Sequence, residues 1–279
     1  MDLVAHEPAV RVAIFAAAFS LIAAGEMVAP RRPLAVARRS RWPGNLAVVL
    51  LNILFVRALL PVTAVSMAML AEERGWGLFH ASGPLPAGLV IPVTVVLLDL
   101  AIYLQHVLFH AVPILWRLHR MHHADLDVDV TTGARFHPVE IMLSMLLKFG
   151  VIAALGAPPL AVLVFELLLS TGSLFNHGNL RLPLRADGIL RWMVVTPDMH
   201  RVHHSVAPEE TNRNFGFTLS WWDRIGGTYQ AQPAAGHTRM SLGIAEFRKV
   251  GDLRLDRLLL QPVLDGSASS NSDPSWRAR

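Results

Sequence analysis

Of 279 residues, 53% are hydrophobic and 16% charged, and 25 basic against 21 acidic residues leave a net charge of +4. Soluble domains carry about 25% charged residues, so the composition points to one membrane-embedded unit rather than the two soluble domains that length alone suggests. The lack of cysteine excludes disulfides, thiolate zinc sites, Cys-ligated iron–sulfur clusters and covalently attached haem, and no basic block is long enough to follow a nucleic acid.

A helix crossing the hydrocarbon core needs roughly 20 apolar residues. Ala9 to Val28, Leu46 to Leu70 and Gly88 to about Val112 meet that length. A fourth apolar region, Val139 to Phe175, is too long for one crossing and is interrupted by Gly156-Ala157-Pro158-Pro159. Proline cannot continue a helix and glycine ends one, so residues 139–175 are expected to form a helical hairpin. Asp2 and Glu7 stand where a signal peptide would be basic. The fold class expected is an all-α integral membrane protein with about three transmembrane helices, a membrane hairpin and a cytoplasmic, histidine-rich helical cap. Residues 1–98 supply the first helices, 99–230 the histidine-bearing domain, 231–265 a cytoplasmic extension, and the polar segment 266–279 a disordered tail.

Arginine placement sets the expected orientation. The segment between the first two spans carries Arg31, Arg32, Arg38, Arg39 and Arg41, whereas the next connection carries Arg74 alone. The first loop is therefore read as cytoplasmic and the N-terminus as outside, which brings every clustered histidine to the cytoplasmic face. Charges inside spans are costly unless paired or functional. Arg57 with Asp99, and Lys148 with Glu166, are the expected interhelical pairs.

Thirteen histidines are the outlying feature, and ten of them lie between positions 106 and 204. His106 and His110 are four residues apart. His119, His122 and His123 repeat the spacing of His200, His203 and His204. Offsets of three and four put side chains on one helix face, so each set can present its imidazoles in one direction. Three such sets are hard to explain by packing, because imidazole is costly to bury, and converging titratable groups mark functional sites. His6, His80 and His237 stand apart and are read as ordinary surface or core residues. One ion takes about four to six ligands, so this many imidazoles imply two ions. A His-Glu-x-x-His zinc protease pattern is missing, as are the Glu-x-x-His pairs of soluble di-iron bundles.

The runs D-L-A-I-Y-L-Q-H-V-L-F-H, L-W-R-L-H-R-M-H-H, R-F-H-P-V-E, N-H-G-N-L-R-L-P, T-P-D-M-H-R-V-H-H-S and N-F-G-F-T-L-S-W-W-D-R-I-G-G-T follow in order from Asp99 to Thr228. In these motifs the chain resembles the fatty acid hydroxylase/sterol desaturase superfamily. That resemblance implies a non-haem, di-iron, membrane-bound oxygenase that hydroxylates or desaturates a lipid-like substrate with O2 and external electrons. It implies His106, His110, His119, His122, His123, His200, His203 and His204 as catalytic iron ligands, with His177 as a further ligand. His137 matches a position beside the metal set, and Pro138 after it suits a supporting role.

Without a dinucleotide fingerprint or haem-attachment motif, electrons must come from a separate donor, such as a cytochrome b5-like protein, a ferredoxin with its reductase, or a reduced pterin. The alternatives are a membrane b-type cytochrome and a metal-binding or transport protein. Asp198 is the expected carboxylate partner of a ligand imidazole, Asp125, Asp127 and Asp129 read as a solvated loop, and Trp221-Trp222 as an anchor at headgroup level. Asn214 matches a family position to which the sequence assigns no role.

Overall fold

The computed structural model describes residues 3–83 and 86–265, so the 266–279 tail lies outside the described residues. Among the described residues the chain is helical, with isolated β-bridges but no strand. Five candidate membrane crossings occur: Glu7–Val28, Arg38–Ala81, Ala87–Ala111, Pro138–Leu155 and Pro159–His177. The first is helix α1 (Glu7–Val28). Many apolar side chains on its surface, including Val12, Leu21 and Met27, are exposed, as expected where lipid replaces water around a helix whose backbone bonds are satisfied internally.

The second crossing departs from the uninterrupted span expected over Leu46–Leu70. It is built from α2 (Arg38–Leu59), α3 (Ala64–Glu73) and the short α4 (Leu78–Ala81). Pro61 has no N–H to continue α2. Thr63 restarts the chain by accepting the Ser66 N–H at 3.1 Å as the cap of α3. Ala64, Ala68 and Ala71 are fully buried, and such small residues let helices approach closely. Ala64, Val65 and Ala68 pack against Leu98 and Ile102 on α5 (Ala87–Ala111), Ile152 on α7 (Pro138–Leu155), and Val162, Leu163 and Phe165 on α8 (Pro159–His177).

Helix α6 (Pro113–His123) follows α5 almost without a break, and α7 (Pro138–Leu155) and α8 (Pro159–His177) form the expected hairpin. Gly156 closes α7 in the left-handed region, at φ 67°. A side chain there would also strike the Trp76 carbonyl, so only glycine serves.

The remaining helices are short: α9 (Leu184–Leu190), α10 (Pro197–His203), α11 (Pro208–Thr211), α12 (Trp221–Ile225) and α13 (Leu255–Leu260). They gather at the end of the bundle where α1 finishes and α8 ends. The buried Glu26 on the last turn of α1 accepts the N–H groups of Val130 and Asn179, both at 2.8 Å. The arginine-rich first loop joins the same end, since Arg31 pairs with Asp198 at 2.9 Å and Arg32 donates to the Met240 carbonyl at 2.8 Å.

Of the two expected ion pairs, Lys148–Glu166 forms at 2.8 Å, and Arg11 joins it on the other carboxylate oxygen. Arg57–Asp99 does not form. Arg57 is exposed, while Asp99 turns to the cap, accepting the Leu219 N–H at 3.1 Å and the Trp222 indole N–H at 2.8 Å. The helix that carries Arg57 packs on α7 (Pro138–Leu155) rather than on α5, so the two side chains do not meet.

Candidate metal centre

The nine histidines come from four places: the end of α5, the second half of α6, the end of α8, and α10 with the residue after it. They meet in two groups. His106, His110, His119, His123 and His203 form one, and His122, His177, His200 and His204 the other, each group with one ring nitrogen per residue within 4.8 Å of all the rest. All but His110 are buried, and His122, His123, His177, His200, His203 and His204 are wholly shielded from solvent.

Backbone acceptors fix how these rings present themselves. A carbonyl can only accept, so a ring Nδ1 bonded to one must carry the proton, leaving Nε2 as a bare lone pair. His106 Nδ1 donates to the Phe215 carbonyl at 2.7 Å, and His203 Nδ1 donates to that of Arg213 at 2.8 Å. His122 Nδ1 donates to the Arg135 carbonyl at 3.1 Å, and His177 Nδ1 to that of Ser173 at 2.7 Å. His119 Nδ1 donates to the Glu140 carboxylate at 2.6 Å. The opposite nitrogens then face one another. His106 Nε2 lies 3.0 Å from those of both His119 and His203, and His177 Nε2 lies 3.0 Å from His122 and 3.2 Å from His200.

Lone pairs at that separation repel unless a cation accepts them. Among the described residues the buried Nδ1 of His123 and both ring nitrogens of His204 have no hydrogen-bond partner. The donor set therefore fits metal: neutral imidazoles, pre-oriented by second partners that are themselves buried.

Burial, reinforced by the neighbouring imidazoles, pushes His122, His123, His200, His203 and His204 well below the ordinary histidine range. The unfolded chain takes up protons on these residues below about pH 6.5, where the folded chain resists them. Their contribution to stability is therefore complete above that pH and declines below it. Acidification from pH ~7.5 to ~5 should lower the melting temperature and release metal in parallel. A melting temperature and metal content unchanged down to pH ~5 would refute this coupling.

The loop that supplies the Arg213 and Phe215 carbonyls explains Asn214. This residue sits at φ 52°, a region asparagine tolerates better than most. Its side chain donates to the Met199 and Gln230 carbonyls and accepts the Gln230 N–H, each at 2.8 Å. Asp223 anchors the same loop through the N–H groups of Phe215 and Gly216, at 2.7 and 2.9 Å. Both residues act on His106 and His203 through the backbone, which no spacing in the sequence reveals.

Three expectations need correction. Among the described residues Asp198 bonds Arg31 and Arg201 and touches no clustered imidazole; Glu140, in the first turn of α7, is the carboxylate on a site histidine. His137 stands outside both groups and caps α7, accepting the Val139 N–H at 3.2 Å. The segment 125–129 is not a solvated loop. Asp125, Asp127 and Asp129 are fully buried, and Arg41 spans Asp125 and Asp129 at 2.7 and 2.6 Å. Glu140→Gln should weaken metal binding about 10- to 100-fold in a metal titration, and unchanged affinity would deny Glu140 that role.

A cavity of about 560 Å³ lies against the first group, with His106, His119 and Glu140 in its wall. Ile102, Phe109, Phe136, Ile141, Leu169 and Phe217 give it an apolar body, and Arg11, Lys148 and Glu166 also line it.

Fold and site together define an all-helical integral membrane protein with a histidine-rich, metal-binding centre. Residues 91–228 match the family described as Fatty acid hydroxylase. Through this segment, about half its length, the chain belongs to the fatty acid hydroxylase/sterol desaturase superfamily. It is 29% identical over 157 residues to ornithine lipid hydroxylase OlsE of Rhizobium tropici, covering 56% of this chain and 46% of that protein. It is 31% identical over 132 residues to alkylglycerol monooxygenase of Xenopus tropicalis, 47% of this chain and 28% of that one. The human alkylglycerol monooxygenase is 30% identical over 141 residues, 48% and 29% of the two chains. The chain thus spans less than half the length of these curated relatives. No solved structure matches it.

Proposed function

We propose that the chain is a membrane-bound, non-haem di-iron oxygenase that hydroxylates or desaturates a lipid-like substrate. The carrying observation is the convergence of nine imidazoles into groups of five and four, beside an apolar cavity. In this reading each group holds one iron, and the bound pair supplies the O2-activating redox chemistry. The protein's own part is to hold Nε2 lone pairs inward, to keep the rings neutral and to shield the second group from solvent. The cavity admits an apolar chain and holds one of its carbons near His106 and His119.

The names of the relatives, a lipid hydroxylase and a monooxygenase, favour insertion of oxygen over desaturation. Electrons would come from a cytochrome b5-like protein, a ferredoxin system or a reduced pterin. The arginine-rich first loop at the histidine end favours a cytoplasmic active site.

A b-type cytochrome is disfavoured because Nε2 atoms of different rings lie only 3.0–3.2 Å apart in five pairs, leaving no plane for a macrocycle between axial pairs. Lipid mass spectrometry of cells with and without the gene tests the proposal. A lipid class gaining one oxygen, or losing two hydrogens, only when the gene is present is the expected result. Purified protein with a Soret band and no non-haem iron would overturn it.

A further inference from the structure

The charged end of the cavity is not used by the chemistry above. Glu166 stands 11 residues before His177 on α8, about 16 Å along the helix, and Lys148 stands eight residues beyond Glu140 on α7, about 12 Å. The cavity therefore has imidazoles at one end, an apolar middle, and Lys148, Glu166 and Arg11 at the other. Charges at this depth are expensive, and a buried ion pair is seldom more stable than apolar packing in its place. The cluster is also open to the cavity rather than sealed between helices. An ammonium has three N–H donors. Among the described residues Lys148 donates to Glu166 Oε1, which leaves donors for the space it lines. A substrate ending there in a methyl group would leave those donors with no acceptor.

We infer that Lys148 binds an oxygen acceptor at the end of the substrate remote from the oxidised carbon. The substrate class is an apolar chain or ring system with a hydroxyl, carbonyl or carboxylate at its far end. The distance from Lys148 to His106 and His119 then sets which carbon is oxidised. This inference rests on the reading of the histidine end as the oxidising end.

The test uses the full chain, purified with its metal and held in nanodiscs under argon so that no turnover occurs. Two straight-chain probes of equal length carry a photoreactive diazirine at one end. One has a hydroxyl at the other end and one a methyl. The hydroxyl probe should label the Gln105–Phe109 segment at least about tenfold more than the methyl probe. Lys148→Met should abolish the preference and Lys148→Arg keep it. The double variant Lys148→Met with Glu166→Leu leaves no orphaned carboxylate, and should abolish it even if the single variant does not fold.

Equal labelling by both probes overturns the inference. So does labelling near Ser144–Lys148 by the hydroxyl probe, or a preference that survives the double variant. The cluster would then only fasten α1, α7 and α8. Iron content and lipid oxidation are measured separately, so loss of the di-iron reading and loss of this one give different results.

Discussion

Purified His122→Ala and His203→Ala proteins should each hold less than half the metal of the parent and oxidise no lipid. His203 belongs to the group of five and His122 to the group of four, so the two variants interrogate the two halves of the centre separately. In each case an Nε2 lone pair, aimed by an Nδ1–H that bonds a backbone carbonyl, is withdrawn from a group whose ring nitrogens lie within 4.8 Å of one another. Metal affinity and chemistry should fall together, because ligand geometry is what the protein contributes. His137→Ala is the informative contrast. It loses a helix cap worth about 1 kcal/mol and should lower the melting temperature with metal retained. Full metal and full turnover in both His122→Ala and His203→Ala would dismiss these residues from the centre.

Asp125→Ala should abolish folding or lower the melting temperature steeply. The carboxylate takes Arg41 on both oxygens, at 2.7 and 2.8 Å, and also meets Arg135, Asn45 and Thr132. Burial alone would raise its pKa, but the two guanidiniums hold it well below the usual carboxylate range. Removing it leaves the fully buried Arg135 without its carboxylate and Arg41 with Asp129 as its remaining ion pair, a change that costs about 3–5 kcal/mol against a total stability of about 5–15 kcal/mol. Metal should be lost as well, since Arg135 supplies the carbonyl that orients His122. Asp256→Ala removes an exposed pair with Arg254 and serves as the control. A melting temperature as little changed by Asp125→Ala as by Asp256→Ala would show that the buried network is dispensable.

What the sequence disclosed was local. Histidine offsets of three and four, the Gly156–Pro159 interruption and the depth match of Lys148 with Glu166 each depend on residues within one helix or one hairpin, where spacing translates directly into position. What it withheld depended on helix packing and on distant partners. Arg57 and Asp99 lie on helices that do not pack on each other. Asp125, Asp127 and Asp129 look like a hydrated loop until Arg41, 84 residues before Asp125, is placed among them. Pro61 was visible, yet apolar composition alone does not distinguish a kink from a break. Asn214 and Asp223 act through carbonyls of a loop, and backbone acceptors leave no mark in side-chain identity.

The residues after the family segment have a part that its boundary conceals. Gly243 N–H donates to the His204 carbonyl at 3.0 Å, Leu258 packs on Val48 and Met121, and Arg117 donates to the Pro262 carbonyl at 2.6 Å. A chain cut at Thr228 would thus expose the backs of α6 and α10 to water and lose the contacts that keep those histidine-bearing helices in register. The cooperative unit is wider than the homologous one, so an isolated 91–228 fragment should not melt as a single transition.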